Sequence, residues 1–231
     1  MMNIPTRISV AKSDYFMNRA RDSCLSPPQD AADGKTTTIR DNYFSPMFLD
    51  AYIMSATALE AFINERIAIN LQIVTNRIAM KLADSVEKSS KKILEMLKEQ
   101  DLVTKYRMMP ILLWQKSFDE SRSPFQDFTS LVSIRNDIIH YKMPFYDEQA
   151  KRPKWVKRLE EKSILLPQPV VHPPEPIPDE GYRVWIDEIC TLKGAKWAYN
   201  TSCRMMKQFA KLAVGIIQAT CQDYVDSFEE L

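Results

Sequence analysis

The chain has 231 residues, 31 Lys and Arg against 30 Asp and Glu, and 45% hydrophobic residues, enough for one large domain or two small ones around a real core. Four glycines against an average usage of about 7% argue against Gly-lined phosphate loops, doubly wound sheets and β-barrels. A formal charge of +1 excludes the whole-molecule footprint of a DNA-coating protein, so any nucleic-acid contact has to come from a local patch.

At the amino terminus, Met1 to Phe16 carries Arg7, Lys12 and Asp14 and has no apolar run of signal-peptide length. Residues 26–38, SPPQDAADGKTTT, read as a mobile loop. Residues 1–45 are thus expected to be an extension that packs on the main domain and is partly mobile. From Pro46 to Pro110 there is no proline or glycine, and Phe48, Tyr52, Ser55, Ala56, Leu59, Phe62, Ile63 and Ile67 recur at helical spacing. This predicts a long helix, apolar nearly all round, with small residues at Ala51, Ala56, Ala58 and Ala61 that let other helices approach closely. It belongs at the centre of a bundle. Its most apolar part, Met47–Ile63, is interrupted by Asp50 and Glu60 and is too short and too charged to span a bilayer, so a cytoplasmic chain with no membrane partner is expected.

A second helix is predicted over about Ser90–Glu99, with Ile93, Leu94 and Leu97 inward, and a third over about Tyr106–Phe118. The fourth has the clearest local signals: Ser123 as N-cap, Pro124 at the first helical position, Gln126 placed for a capping box, and Pro144 ending the helix near residue 142. Seven of the fourteen prolines fall between residues 153 and 178, which predicts an extended loop. The helical pattern resumes over Ala195–Phe228, where Ala198, Met205, Phe209, Leu212, Ile216 and Ala219 share one side. No internal repeat is visible. The expected organisation is an all-α antiparallel helical domain over 46–231, with 147–182 a proline-rich loop insertion before the C-terminal helix.

Cys24, Cys190, Cys203 and Cys221 form no C-x-x-C pair, and the chain has two histidines, so a structural zinc site lacks its ligand spacing. The cysteines read as small buried hydrophobes in a reducing compartment. No carboxylate cluster suggests a metal, and no cofactor is expected.

The segment SLVSIRNDIIHYK on the fourth helix departs from an ordinary amphipathic pattern. At about 100° per residue, Phe125, Phe128, Leu131, Val132, Ile134, Ile138 and Ile139 form a broad apolar arc with Arg135 near its centre. Burying a guanidinium without partners costs several kcal/mol, so Arg135 has to pair with a carboxylate such as Glu60 or Glu65, bind an anion, or line an interface that stays wet. Asn136 and His140 lie together at one border of the arc. The apolar circumference of the central helix and the position of Arg135 also suggest a face surplus to a monomer, hence a two-fold dimer.

Arg135, Asn136 and His140 in RNDIIH resemble the R-x(4–6)-H motif of the HEPN superfamily, and ATALEAFINERI in the central helix resembles the E-A-F-x-N pattern of that superfamily's first helices. The resemblance covers about Pro46–Lys142 and, more loosely, the helix with KWAYNTSCRMM. It implies a HEPN-like bundle acting as a metal-independent endoribonuclease at a homodimer interface, in a defence or toxin–antitoxin context. Carried over, His140 is the acid/base residue, Arg135 holds the scissile phosphate and Asn136 orients the site. An imidazole can exchange protons near neutral pH, and a guanidinium stabilises transition-state charge. Some toxin members carry a tyrosine two positions after the histidine, which a nucleotidyltransferase antitoxin modifies; here Lys142 stands there and Tyr141 is one residue early. That departure weakens the case for this particular antitoxin pairing; a protein inhibitor or antitoxin is among the partners the resemblance implies. Other members of the superfamily are catalytically silent modules that bind RNA, a nucleotide or a protein.

A second patch, KRPKWVKR, is basic at five of eight positions. Lys151, Arg152, Lys154, Lys157 and Arg158 could contact an RNA backbone with Trp155 stacking a base, and Lys142 extends the same charge; the alternative is a solvated helix face. His172 has no identifiable partner. Trp114, Trp185 and Trp197 read as core or interface anchors.

Overall fold

The computed structural model describes residues 11–25, 47–80, 85–140, 154–165 and 188–231. Among them are eight helices and no strand: α1 (Ala11–Leu25), α2 (Phe48–Ala79), α3 (Ser85–Lys98), α4 (Leu102–Trp114), α5 (Phe125–Ile139), α6 (Lys154–Glu161), α7 (Leu192–Leu212) and α8 (Ile216–Val225). The protein is all-α. No described helix is long and apolar enough to cross a membrane.

The proline- and glycine-free run folds as the 32-residue α2, which buries Phe48, Ala51, Tyr52, Ser55, Ala56, Ala58, Leu59, Phe62, Ile63, Arg66, Ile67 and Asn70. These residues point to several sides of the helix, so no single neighbour can cover them. Helices α1, α3, α4, α5 and α7 all pack against α2. The cover is completed inside one chain, which removes the central helix as an argument for a dimer. Its sequence signature was correct; the missing element was α1, which lies in the span read as an extension. Ser13, Met17, Ala20 and Cys24, spaced by one turn each, turn inward from α1.

Small residues let α7 come close. Gly194 sits where an added Cβ would meet the Tyr52 hydroxyl and come within 2.7 Å of the Ile189 carbonyl oxygen. Tyr52 donates to that carbonyl at 3.1 Å. Thr191 caps α7 by accepting from the Gly194 N–H at 2.9 Å and donates to the Ile164 carbonyl at 3.1 Å, tying the segment after α6 to the start of α7.

Five elements differ from the sequence reading. The second helix starts at Ser85, five residues before the expected Ser90. The third helix starts and ends about four residues earlier, because Asp101 caps it and Gln115 closes it in the left-handed region. In α5, Ser123 donates to the Asp127 carboxylate at 2.7 Å instead of capping a backbone N–H, Pro124 takes the N-cap place with no side-chain bond, and the helix stops at Ile139. The single C-terminal stretch is two helices, since Ala213 is extended and Gly215 adopts φ +67°, which only glycine takes at no cost. Residues 154–161, inside the expected proline-rich loop, are helical: the prolines stop at Pro153 and resume at Pro167, and KWVKRLEE between them is free to wind. Residues 147–153 and 166–182 of that loop lie outside the described residues, as do most of 1–45.

Two stability outcomes follow. Gly194→Ala is expected to cost about 1–3 kcal/mol by overpacking and to lower the melting temperature by several degrees in a thermal scan. Asp101 accepts from the Thr104 hydroxyl at 2.6 Å and from its N–H at 3.0 Å, and these bonds hold its carboxyl below the usual range. Asp101→Ala should therefore cost about 1 kcal/mol in urea unfolding at pH 7. A depressed folded pKa gives stability that is present above the unfolded value of about 3.9 and lost as pH falls through the folded one, so the difference from wild type should persist to pH 5 and shrink only in stronger acid.

Candidate functional site

Helix α5 is seated by Phe125, Phe128, Leu131 and Ile134, all buried. Its two ends have opposite electrostatics. In the first turn the buried Asp127 accepts from Ser123 and lies 3.3 Å from the Lys162 ammonium. Arg135 stands just ahead of the last turn and is half-buried. Its side chain is 28% exposed, and its guanidinium donates to Asn136 Oδ1 at 3.0 Å and to Glu60 Oε2 at 3.4 Å. Of the two carboxylates within reach on α2, Glu60 is the partner. Glu65 is turned elsewhere and accepts from the Ser13 hydroxyl at 2.8 Å.

His140 is the C-cap of α5, exposed, with its N–H bonded to the Asn136 carbonyl. Five residues of helix put it about 7.5 Å along the axis from Arg135. Ile139, between them, leaves about half its surface exposed. The motif residues thus lie at one end of α5, with Arg135 and Asn136 in direct contact and His140 beyond them.

The central helix contributes more than Glu60. One turn on, Asn64 accepts at 2.9 Å from the ammonium of Lys105, a lysine buried in α4. Both polar members of the E-A-F-x-N segment therefore meet cations from other helices. Sequence reasoning did not single out Lys105, because nothing in LVTKYRMMP marks one basic residue as buried.

The second patch divides. Lys142, Lys151 and Arg152 lie outside the described residues, and Lys154 begins α6. Lys157 is exposed, and Arg158 donates to the Ser130 hydroxyl at 3.4 Å. Trp155 is 3% exposed and its indole N–H donates to Asp137 Oδ2 at 2.9 Å. A ring so placed cannot stack a base. With Val156 and Leu159 it forms the buried face of α6, and the pairs 155–137, 158–130 and 162–127 make α6 run antiparallel to α5.

All four cysteines are buried, and burial pushes the Cys24 thiol up to about 12 and the Cys203 thiol up to about 11. Neither offers a thiolate nucleophile at neutral pH. Trp197 is buried and packs near Tyr52, and Trp114 packs on Phe209; Trp185 and His172 lie outside the described residues. Among the described residues no group of three or more His, Cys, Asp or Glu side chains could hold a metal ion.

No family model matches the chain, and neither a curated protein nor a solved structure is significantly similar to it.

The packing role of Trp155 gives a direct outcome. Trp155→Phe keeps an aromatic ring but leaves Asp137 without its donor, and is expected to cost about 2 kcal/mol in denaturant unfolding. Lys157→Ala, on the exposed side of the same helix, should stay within about 0.5 kcal/mol of wild type.

Proposed function

We propose that this chain is a HEPN-like, metal-independent endoribonuclease whose site is the C-terminal end of α5, acting as a homodimer in a defence or toxin setting. The observation that carries the reading is the contact between its two resemblance segments: Glu60 of EAFIN reaches Arg135 of RNDIIH at 3.4 Å. Segments 75 residues apart in sequence meet at the one place where the proposed chemistry needs them.

The contact leaves Arg135 usable. An ion pair between partly exposed side chains contributes about 0–1 kcal/mol, so a phosphate that offers two oxygens to the planar guanidinium can displace the single oxygen of Glu60. In the proposed reaction, a neutral His140 takes the proton of a ribose 2′-hydroxyl. The 2′-oxygen bonds to phosphorus while the bond to the 5′-oxygen breaks, and a protonated histidine returns a proton to that oxygen. The products are a 2′,3′-cyclic phosphate and a 5′-hydroxyl. Two histidines are needed in different protonation states, which a two-fold pair of α5 ends supplies. The exposed Ile139 beside Arg135 provides apolar surface for that pairing.

The Arg135–Glu60 pair also favours a second reading, a catalytically silent HEPN-like module in which Arg135 only links α5 to α2. The two separate in one assay, incubation of the purified protein with RNA in excess EDTA. The nuclease reading expects cleavage by wild type, none by His140→Ala, a loss of at least about tenfold in Arg135→Lys, and retained activity in Glu60→Gln, which frees the guanidinium. Equal cleavage by wild type and His140→Ala, or none by either, removes the nuclease reading.

A further inference from the structure

Between Asn136 and His140 the sequence places a carboxylate, Asp137. It stands two residues before the end of α5, where the helix dipole disfavours an anion, so helix stability does not account for a charge there. Its Oδ2 accepts from the indole N–H of Trp155 at 2.9 Å, and Trp155 is 3% exposed. The carboxylate is thereby tied to α6, which two further contacts anchor along α5: Arg158 donates to the Ser130 hydroxyl at 3.4 Å, and the Lys162 ammonium lies 3.3 Å from Asp127. The other oxygen of Asp137, Oδ1, accepts no hydrogen bond from another described residue.

Side chains of a helix lean toward its N-terminus and cover the turn before their own Cα. His140, with φ −87° and ψ 5°, still stands close to helical geometry, so its neighbours on the helix surface are the residues three and four positions back, Asp137 and Asn136, with Cβ atoms about 5–6 Å away. The two are not equivalent as acceptors. Asn136 Oδ1 already accepts from the Arg135 guanidinium at 3.0 Å, whereas Asp137 has an oxygen to spare and, being charged, makes the stronger hydrogen bond. Among the described residues no hydrogen bond joins Asp137 to His140. The exposed imidazole comes to the carboxylate by rotation about its own side-chain bonds, while α6 keeps the carboxylate in place.

We infer that Asp137 is a positioning residue for His140, accepting a ring N–H of the imidazole, and that Trp155 holds Asp137 for that task. The inference rests on the nuclease reading of the α5 end. An imidazole that donates one ring N–H to a carboxylate presents its other nitrogen unprotonated, which is the form a general base needs to take the proton of a ribose 2′-hydroxyl. The carboxylate then stabilises the imidazolium and takes up no proton itself, the arrangement in which a base is oriented by a third group. The labour divides within one helical turn: Asn136 orients Arg135, and Asp137 orients His140.

The test is steady-state cleavage of a fluorophore-labelled oligoribonucleotide of mixed sequence by the full chain in excess EDTA. Asp137→Asn keeps an oxygen for the Trp155 indole N–H and loses only the charge. It is expected to lower kcat by at least about tenfold, with KM within about twofold of wild type and the urea midpoint unchanged. Trp155→Phe keeps the charge and loses its holder, and should lower kcat by less than Asp137→Asn does. If His140→Ala is inactive and Asp137→Asn turns over at the wild-type rate, the inference is overturned and the nuclease reading stands. A loss in Trp155→Phe that equals or exceeds the loss in Asp137→Asn also overturns it, since Asp137 is then only a link between the two helices. If wild type does not cleave, or His140→Ala cleaves equally, the nuclease reading fails and this inference with it.

Discussion

Burial of α2 around most of its circumference is the constraint from which the rest of the architecture follows. A helix that is apolar on one stripe needs one neighbour; α2 needs five. Each fully buried Leu, Ile or Phe contributes about 1.5–3 kcal/mol relative to exposure, so leaving any side of α2 open would forfeit several such terms at once. The aromatic residues show how the neighbours are joined. Phe209 of α7 contacts Phe62 of α2, Tyr106 and Trp114 of α4, with ring centroids 5.4 to 5.7 Å apart. Tyr106 in turn meets Phe128 of α5 at 4.9 Å. Its hydroxyl donates to the Leu59 carbonyl at 3.1 Å, a second bond for an oxygen within α2. The position of α5, and with it Arg135, is held by this ring contact together with the polar contacts that Asp127, Ser130, Arg135 and Asp137 make with neighbouring elements.

The same burial places a charge inside. Arg66 is 2% exposed, with Nε and Nη2 lacking hydrogen-bond partners among the described residues. What offsets its desolvation is diffuse: the faces of Phe62 and Tyr224 at 5.1 and 5.8 Å, the Cys221 sulfur at 3.7 Å and the Glu65 carboxylate at 4.0 Å. Burial pushes the Glu65 carboxyl up, and hydrogen bonds from Ser13 act against that shift. Ser13 also accepts from the Tyr224 hydroxyl at 2.6 Å, so a polar cluster joins α1, α2 and α8 where the ring contacts end. Its specificity role is the one polar groups play in apolar interiors: it fixes which helix lies where, at some cost in stability.

How much of this was legible depends on whether the sequence carried the signal locally. The α2 pattern and the inward face of α3 are periodicities within one segment, and they were readable. Burial of the cysteines followed from their chemistry. Helix α1 was not readable as helix, because its inward positions include Ser13, Ala20 and Cys24, small or polar residues that look like a loop until α2 lies beside them. The break at Gly215 was visible in the sequence as one of only four glycines, but the apolar spacing ran through it and masked it. Trp155 was misread for a related reason: five basic neighbours dominated the local composition, while the partner that decides its orientation, Asp137, lies 18 residues away. For the candidate site, the pairing of Arg135 with a carboxylate of the central helix was legible, with Glu60 and Glu65 both open, because a charge inside an apolar arc has few solutions. Lys105 with Asn64 was not, since both are ordinary surface residue types.

The electrostatics of α5 bear on which motif residue gives the cleaner view of function. A helix carries partial negative charge at its C-terminus, where cations are stabilising and anions are not. Asp127 in the first turn obeys that rule, whereas the last turn holds no basic residue, so Arg135, standing just ahead of it, gains little from the dipole, which falls off within the last turn. A phosphate brought to this end works against the dipole, and the guanidinium has to outweigh it before any affinity remains. Arg135 also serves the fold through its pair with Glu60, so removing it loosens the contact between α5 and α2 whatever else it does. His140 carries no such double duty: it is exposed, lies beyond the last helical residue, and makes no side-chain hydrogen bond among the described residues. Among the described residues an exposed imidazole without such a bond contributes less to the fold than Arg135 with its Glu60 pair, so of the two replacements His140→Ala disturbs the described bundle less.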